Sequence, residues 1–168
     1  PMPVPDQPTD STPDRIDPDD LATTYGVAVG VLPADLADPA QLATVEARLA
    51  DEAHPVDLLV NNAGFGLGQP FVGGDLAREE QALDVMVRAV MVASHAAADA
   101  MVRRGRGAIL NVSSVAAHNV VGTYSAHKAW VLRFTEGLAV ELAGTGVTAT
   151  ALCPGLVHTG FHAAAGID

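Results

Sequence analysis

Short apolar runs and longer amphipathic runs alternate along this chain, and few folds accommodate that order. "VAVGVL" (27–32), "VDLLV" (56–60), "GAILNVSS" (107–114) and "VTATALC" (147–153) are short and rich in apolar or β-branched residues, as strands are. Between them lie segments of helical periodicity at 38–53, 75–105 and 124–146, the second with a break expected near its start. Asp38 is placed to cap the first of these, Pro39 suits its opening turn, and Leu42, Val45 and Leu49 share one stripe. A shorter helix is predicted from its cap, Asp17, to its stop, Gly26. Strands alternating with helices build βαβ units around a parallel sheet, so the predicted class is α/β.

The first residues break this pattern. "PMPVPDQPTDSTPDRIDPDD" holds six of the eleven prolines and six aspartates. Residues 1–16 are expected to form a disordered acidic tail, because they offer too little apolar surface to offset the entropy of ordering. Residues 17–168 are expected to form the domain. The net charge of −11 argues against nucleic acid and anionic membranes as partners. A single cysteine, Cys153, excludes an internal disulfide and suits a reducing cytoplasm, which is the expected location. No leader is read at the N-terminus, and the apolar segments read as too short or too interrupted by charge to span a bilayer. The six histidines show no ligand spacing with Cys, Asp or Glu, so no metal site is expected.

In open parallel sheets ligands sit beyond the carboxyl ends of the strands. Those ends read "PADLAD", "NNAGFGLG", "SSVAAHNVVGTYSAHK" and "CPGLVHTG". Lys128 is the only lysine of the chain and follows Tyr124 by four residues, which places both on one helix face. A tyrosine is a poor base at neutral pH, and a nearby ammonium lowers its pKa. Lysine supplies that charge as a compact point with three donors, whereas arginine is a broad planar fork. A hydroxyl from Ser113 or Ser114 at the preceding strand end could hold a substrate oxygen while Tyr124 moves a proton.

Together, "ADLAD", "VDLLVNNAG", "GAILNVSSVAA", "YSAHK" and "CPGLVHT" make residues 21–168 resemble the short-chain dehydrogenase/reductase family. The resemblance implies a Rossmann-like parallel sheet with helices on both faces. It also implies hydride exchange between NAD or NADP and a small-molecule alcohol or carbonyl substrate. By the same resemblance Tyr124 is the catalytic acid/base, Lys128 its pKa-lowering and ribose-binding partner, and Ser114 the substrate-orienting hydroxyl, with Ser113 as fallback. Asp35 would meet the adenine edge. Asn61, Ala63 and Gly64 would line the cofactor, and Pro154, Gly155 and Thr159 would hold its nicotinamide side. Helices 75–104 and 124–143, more apolar than one stripe requires, would pair across a homo-oligomer.

Three departures qualify these expectations. The family's opening strand and glycine-rich loop, T-G-x-x-x-G-x-G, have no counterpart in the 168 residues. The N-terminal half of the sheet is therefore expected to be truncated, and cofactor binding by this chain alone to be weak or absent. "GFGLG" (64–68) follows a strand, but Pro70 and Phe71 come next where a phosphate cradle needs a helix start. Met86 stands where the family usually has an asparagine that holds a relay water. The step from Ser114 to Tyr124 is ten positions, about three fewer than the family usually has, which could take the serine out of register. The alternative to an enzyme is a non-catalytic scaffold of the same fold, and a partial chain remains a third account. Strand 27–32 is expected to close directly onto strand 56–60, since a gap two strands wide would leave backbone groups unpaired.

Overall fold

The structure, a computed structural model, describes residues 17–155. The expected tail over 1–16 and Thr159 lie outside the described residues. Two compact units divide the chain between Val31 and Leu32. The first contains α1 (Pro18–Tyr25), capped by the Asp17 carboxylate on the Asp19 amide and stopped by Gly26 at φ 62°. Both signals were legible in the sequence.

The second unit holds the sheet. Its elements run α2 (Pro39–Ala50), β1 (Leu58–Asn61), α3 (Leu76–Leu83), a π-helical turn (Asp84–Arg88), α4 (Ala89–Arg104), β2 (Gly107–Val112), α5 (Gly122–Glu141) and β3 (Val147–Leu152). The strands are parallel in the order β1-β2-β3, with Leu59 beside Ile109 and Ile109 beside Ala149. This is the α/β, Rossmann-like architecture expected.

Residues 27–32 form no strand, which corrects the sequence reading. Their direct closure onto 56–60 is likewise overturned, because β1 pairs only with β2 among the described residues. The physical reason is that β-branched composition favours an extended chain, whereas a strand exists only where its backbone is paired. Val27, Val29 and Val31 are exposed by 52%, 39% and 65%.

One sheet face carries the core. Leu59, Ile109, Val147 and Ala149 pack against Ala93, Ala97 and Met101 of α4 and Leu138 and Leu142 at the end of α5. Leu49 and Val45 of α2 close the same cluster from outside α4. Small residues along α4 let its backbone approach the sheet, and Gly146 lets the turn before β3 rest on the Gly105 carbonyl, where any Cβ would collide. The opposite face is less covered among the described residues, with Leu58, Val60 and Leu152 exposed by 56%, 47% and 47%.

α3, the π-turn and α4 form one continuous helix of 29 residues, Leu76–Arg104. It is long and apolar enough to cross a bilayer, contrary to the sequence reading. Half of its most apolar window is buried within the fold, however, as in the core helices of water-exposed proteins. The break expected near its start is not found; the helix is continuous, with a π-turn at Asp84–Arg88 inside it.

Candidate active site

The rim is built where β2 and β3 end. The Ser113 amide donates to the Leu152 carbonyl at 2.7 Å, and the Val115 amide to the Pro154 carbonyl at 3.0 Å, so the two loops leave the sheet together. A 3-10 turn over Val115–His118 then leads to α5, with the Ser114 hydroxyl accepting from the Ala116 amide. This tight turn absorbs the short connection. Ser114 stays close enough to Tyr124 for its hydroxyl to pull the phenol's pKa down.

Ser113 is not an alternative. Its hydroxyl is buried and donates to the Lys128 backbone carbonyl at 2.7 Å, fastening α5 to the end of β2. Strand alternation separates the two serines, one turned into the helix and the other to the rim.

Lys128 is 5% exposed and its Nζ donates to the Val112 carbonyl at 2.8 Å. Its ammonium lies 5.7 Å from the centre of the Tyr124 ring, and burial lowers its pKa below the ordinary lysine value. The phenol of Tyr124 is pushed up by burial, with Ser114 pulling in the opposite direction. The spacing had implied a lowered tyrosine. Desolvation prevails here because Lys128 turns to the strand-end carbonyl.

Gly64 and Met86 close the other side. A Cβ on Gly64 would stand 3.4 Å from the Met86 Sδ and 3.5 Å from the Lys128 Nζ, so the thioether fills the space beside the ammonium. Met86 sits on the π-turn, fully buried with Leu67 and Ala82, and Tyr124 packs against that cluster. Leu67 anchors the "GFGLG" segment by its side chain, and α3 begins only at Leu76. Among the described residues no helix starts directly after that loop.

Asn61 commits its amide inward, donating to the Asn111 Oδ1 at 2.8 Å and the Ser94 Oγ at 3.1 Å. Asn111 in turn donates to Thr135 at 2.9 Å, which links β1, β2, α4 and α5 through one buried polar chain. Asn62, Ala63 and Gly64 remain exposed at the strand end. A cleft of about 170 Å³ opens there, lined by Leu36, Leu42, Val45, Asn62, Ala63 and Val85 among others. Asp35 is exposed beside it and accepts from the Ala37 amide at 2.9 Å, while its own amide donates to Gln41. Gly155 faces open space. Among the described residues no three His, Cys, Asp or Glu side chains converge as metal ligands.

One group escaped the sequence analysis. Glu79, 8% exposed, accepts from the Thr123 hydroxyl at 2.6 Å and from Gln69 at 3.2 Å. These bonds depress its pKa, and its charge pulls the buried His127 upward against a larger burial effect that lowers it. The partners lie 44 and 10 residues away in sequence, so no local pattern marks them.

Residues 18–167 match the family model for short chain dehydrogenases. The ketoacyl reductase HetN of Nostoc sp. is 33% identical over 135 residues, 79% of this chain and 47% of that protein. A galactitol 2-dehydrogenase (L-tagatose-forming) of Cereibacter sphaeroides is 38% identical over 147 residues, 84% of this chain and 58% of that one. Among solved structures, a short-chain dehydrogenase from Sphingobium yanoikuyae in complex with NADPH superposes with a TM-score of 0.85 at 36% identity. It is matched over 90% of this chain and 60% of its own. The chain belongs to the short-chain dehydrogenase/reductase family. It spans about half the length of the relatives it matches.

Proposed function

We propose that this chain carries the proton-transfer half of an NAD(P)-dependent oxidoreductase acting on a small-molecule alcohol or carbonyl compound. The observation that carries the reading is the Tyr124 ring 5.7 Å from the buried Lys128 ammonium, with Ser114 acting on its phenol, at the carboxyl ends of parallel strands. A phenol raised above its ordinary value stays protonated at neutral pH, which is the state a carbonyl reductase needs. Bound reduced nicotinamide would supply the hydride to the carbonyl carbon. Tyr124 donates its phenolic proton to the carbonyl oxygen as the C=O π bond breaks, Ser114 hydrogen-bonds that oxygen, and the phenolate recovers its proton from solvent. Lys128, close to the ring, favours the phenolate once it forms.

The residues present fit one end of the cofactor. Exposed backbone at Asn62 and Ala63 and open space at Gly155 leave room for a flat group at the strand ends. The cleft next to Asp35 suits an apolar ring with a polar edge. The phosphate end does not fit, since among the described residues neither the glycine-rich motif nor an amide-bearing helix start is there to meet it. Association through helices 75–104 and 124–143 belongs to the same reading, supported by the exposed Met91, Val102 and Val140 along them.

The test is to fuse a family-type strand and glycine-rich loop ahead of the chain and assay carbonyl reduction with NADPH and NADH. Activity that falls about a hundredfold or more in Tyr124→Phe supports the reading. A fused protein that folds and binds cofactor but reduces nothing favours the second reading, a non-catalytic scaffold. Met86 is the observation on that side, because its thioether occupies the space beside Lys128 that a relay water would need.

A further inference from the structure

The helix that carries Tyr124 starts badly. Its N-cap is Val121, which offers no side-chain hydrogen bond, and its first residue is Gly122 at φ 60°. The opening amides of a helix have no intrahelical acceptors, so an uncapped start frays. Tyr124 is the third residue of that turn, yet an acid/base must be held to a fraction of an ångström. Within the turn the Ser125 hydroxyl accepts from the Val121 amide at 3.1 Å, and the ring packs on the Met86 cluster, so what remains to be held is the backbone of the turn against the rest of the fold.

Glu79 lies against this turn from α3. A carboxylate so covered is costly unless its oxygens are bonded, and both are: Oε2 by Thr123 at 2.6 Å and Oε1 by Gln69 at 3.2 Å. Gln69 also closes the loop before α3, donating to the Asp75 carbonyl at 2.9 Å and accepting from the Asp75 amide at 3.1 Å. A negative charge at a helix N-terminus is favourable in its own right. The carboxylate thus ties the first turn of α5 to α3 through the Thr123 side chain, leaving the opening amides uncapped.

We propose that Glu79 is a positioning residue for Tyr124, holding the first turn of α5 through the Thr123 hydroxyl. Its catalytic meaning rests on the acid/base reading of Tyr124, but its test reads only where the ring sits, so the two can fail separately. The full chain has two tyrosines, and Tyr25, 70% exposed, is an internal reference. In tyrosine-labelled protein, Thr123→Val and Glu79→Ala are expected to move the Tyr124 ring resonances toward those of Tyr25. They should also speed amide exchange at Ser125 and Ala126 about tenfold or more. Thr123→Ser, which keeps the hydroxyl, should retain both signals. If Thr123→Val leaves ring and exchange at wild-type values, or if Thr123→Ser disturbs them equally, the proposal is wrong. Should Glu79→Ala fail to fold, the valine and serine variants decide alone.

Discussion

His127, one residue before Lys128, is 8% exposed with its Nδ1 buried. Its pKa is lowered, chiefly by burial. A base with a depressed folded pKa contributes stability that is present above its unfolded value and is lost as pH falls through the folded one. Stability should therefore decline on acidification below about 6.5. Glu79, depressed by the hydrogen bonds from Thr123 and Gln69, extends the loss in the same direction below the ordinary carboxylate range. Urea melts across pH 8 to 4 check this, and a midpoint that rises on acidification below 6.5 would contradict it. His127→Gln should flatten the first part of the decline. Met86 offers a second residue-scale test. Placing an asparagine there puts a polar group in a fully buried apolar space, and Met86→Asn is expected to cost about 2–4 kcal/mol in urea melts. A neutral result would mean that the pocket already admits water.

At the scale of elements, the polar chain from Asn61 through Asn111 to Thr135 ties two strands to two helices. Asn111 is fully buried, and Asn111→Ala strips partners from both neighbours, at an expected cost of about 2–3 kcal/mol. Denaturant midpoints check it, and a loss below the resolution of the melts would remove the chain's structural role. The helices were legible in the sequence because their signals are local: Asp17 and Gly26 bound α1, and Asp38 with Pro39 opens α2. The parallel sense of 58–61, 107–112 and 147–152 followed from the same alternation. The stretch 27–32 misled because composition records a preference for extension and says nothing about a partner. The π-turn that brings Met86 to Lys128 left no trace, since one extra residue in a helical turn does not alter the apolar stripe enough to be read. The shared helix face of Tyr124 and Lys128 was legible as a spacing, and Ser114 was singled out by the family resemblance. The Glu79 brace and the inward turn of Lys128 to Val112 were not, because both depend on contacts between distant segments.

For the molecule as a whole, the sheet unit buries one face and leaves Leu58, Val60 and Leu152 exposed on the other. Parallel sheets are ordinarily covered on both sides. The chain is therefore expected to bind a hydrophobic dye or to self-associate with rising concentration, and Leu58→Lys with Leu152→Lys should reduce both. Sedimentation and dye fluorescence check this, and a dilute monomer without dye binding would mean that the face is covered. The same distribution governs the cofactor. Tyr124, Ser114 and Lys128 are assembled, but nothing among these residues receives a pyrophosphate, and a net charge of −11 repels one. Calorimetric titration of NADPH into the purified chain tests this division most directly. A dissociation constant of about 1 mM or weaker, equivalent to about 4 kcal/mol or less, is the expected result. Micromolar binding would contradict it, and would mean that a loop of this chain cradles the phosphates after all.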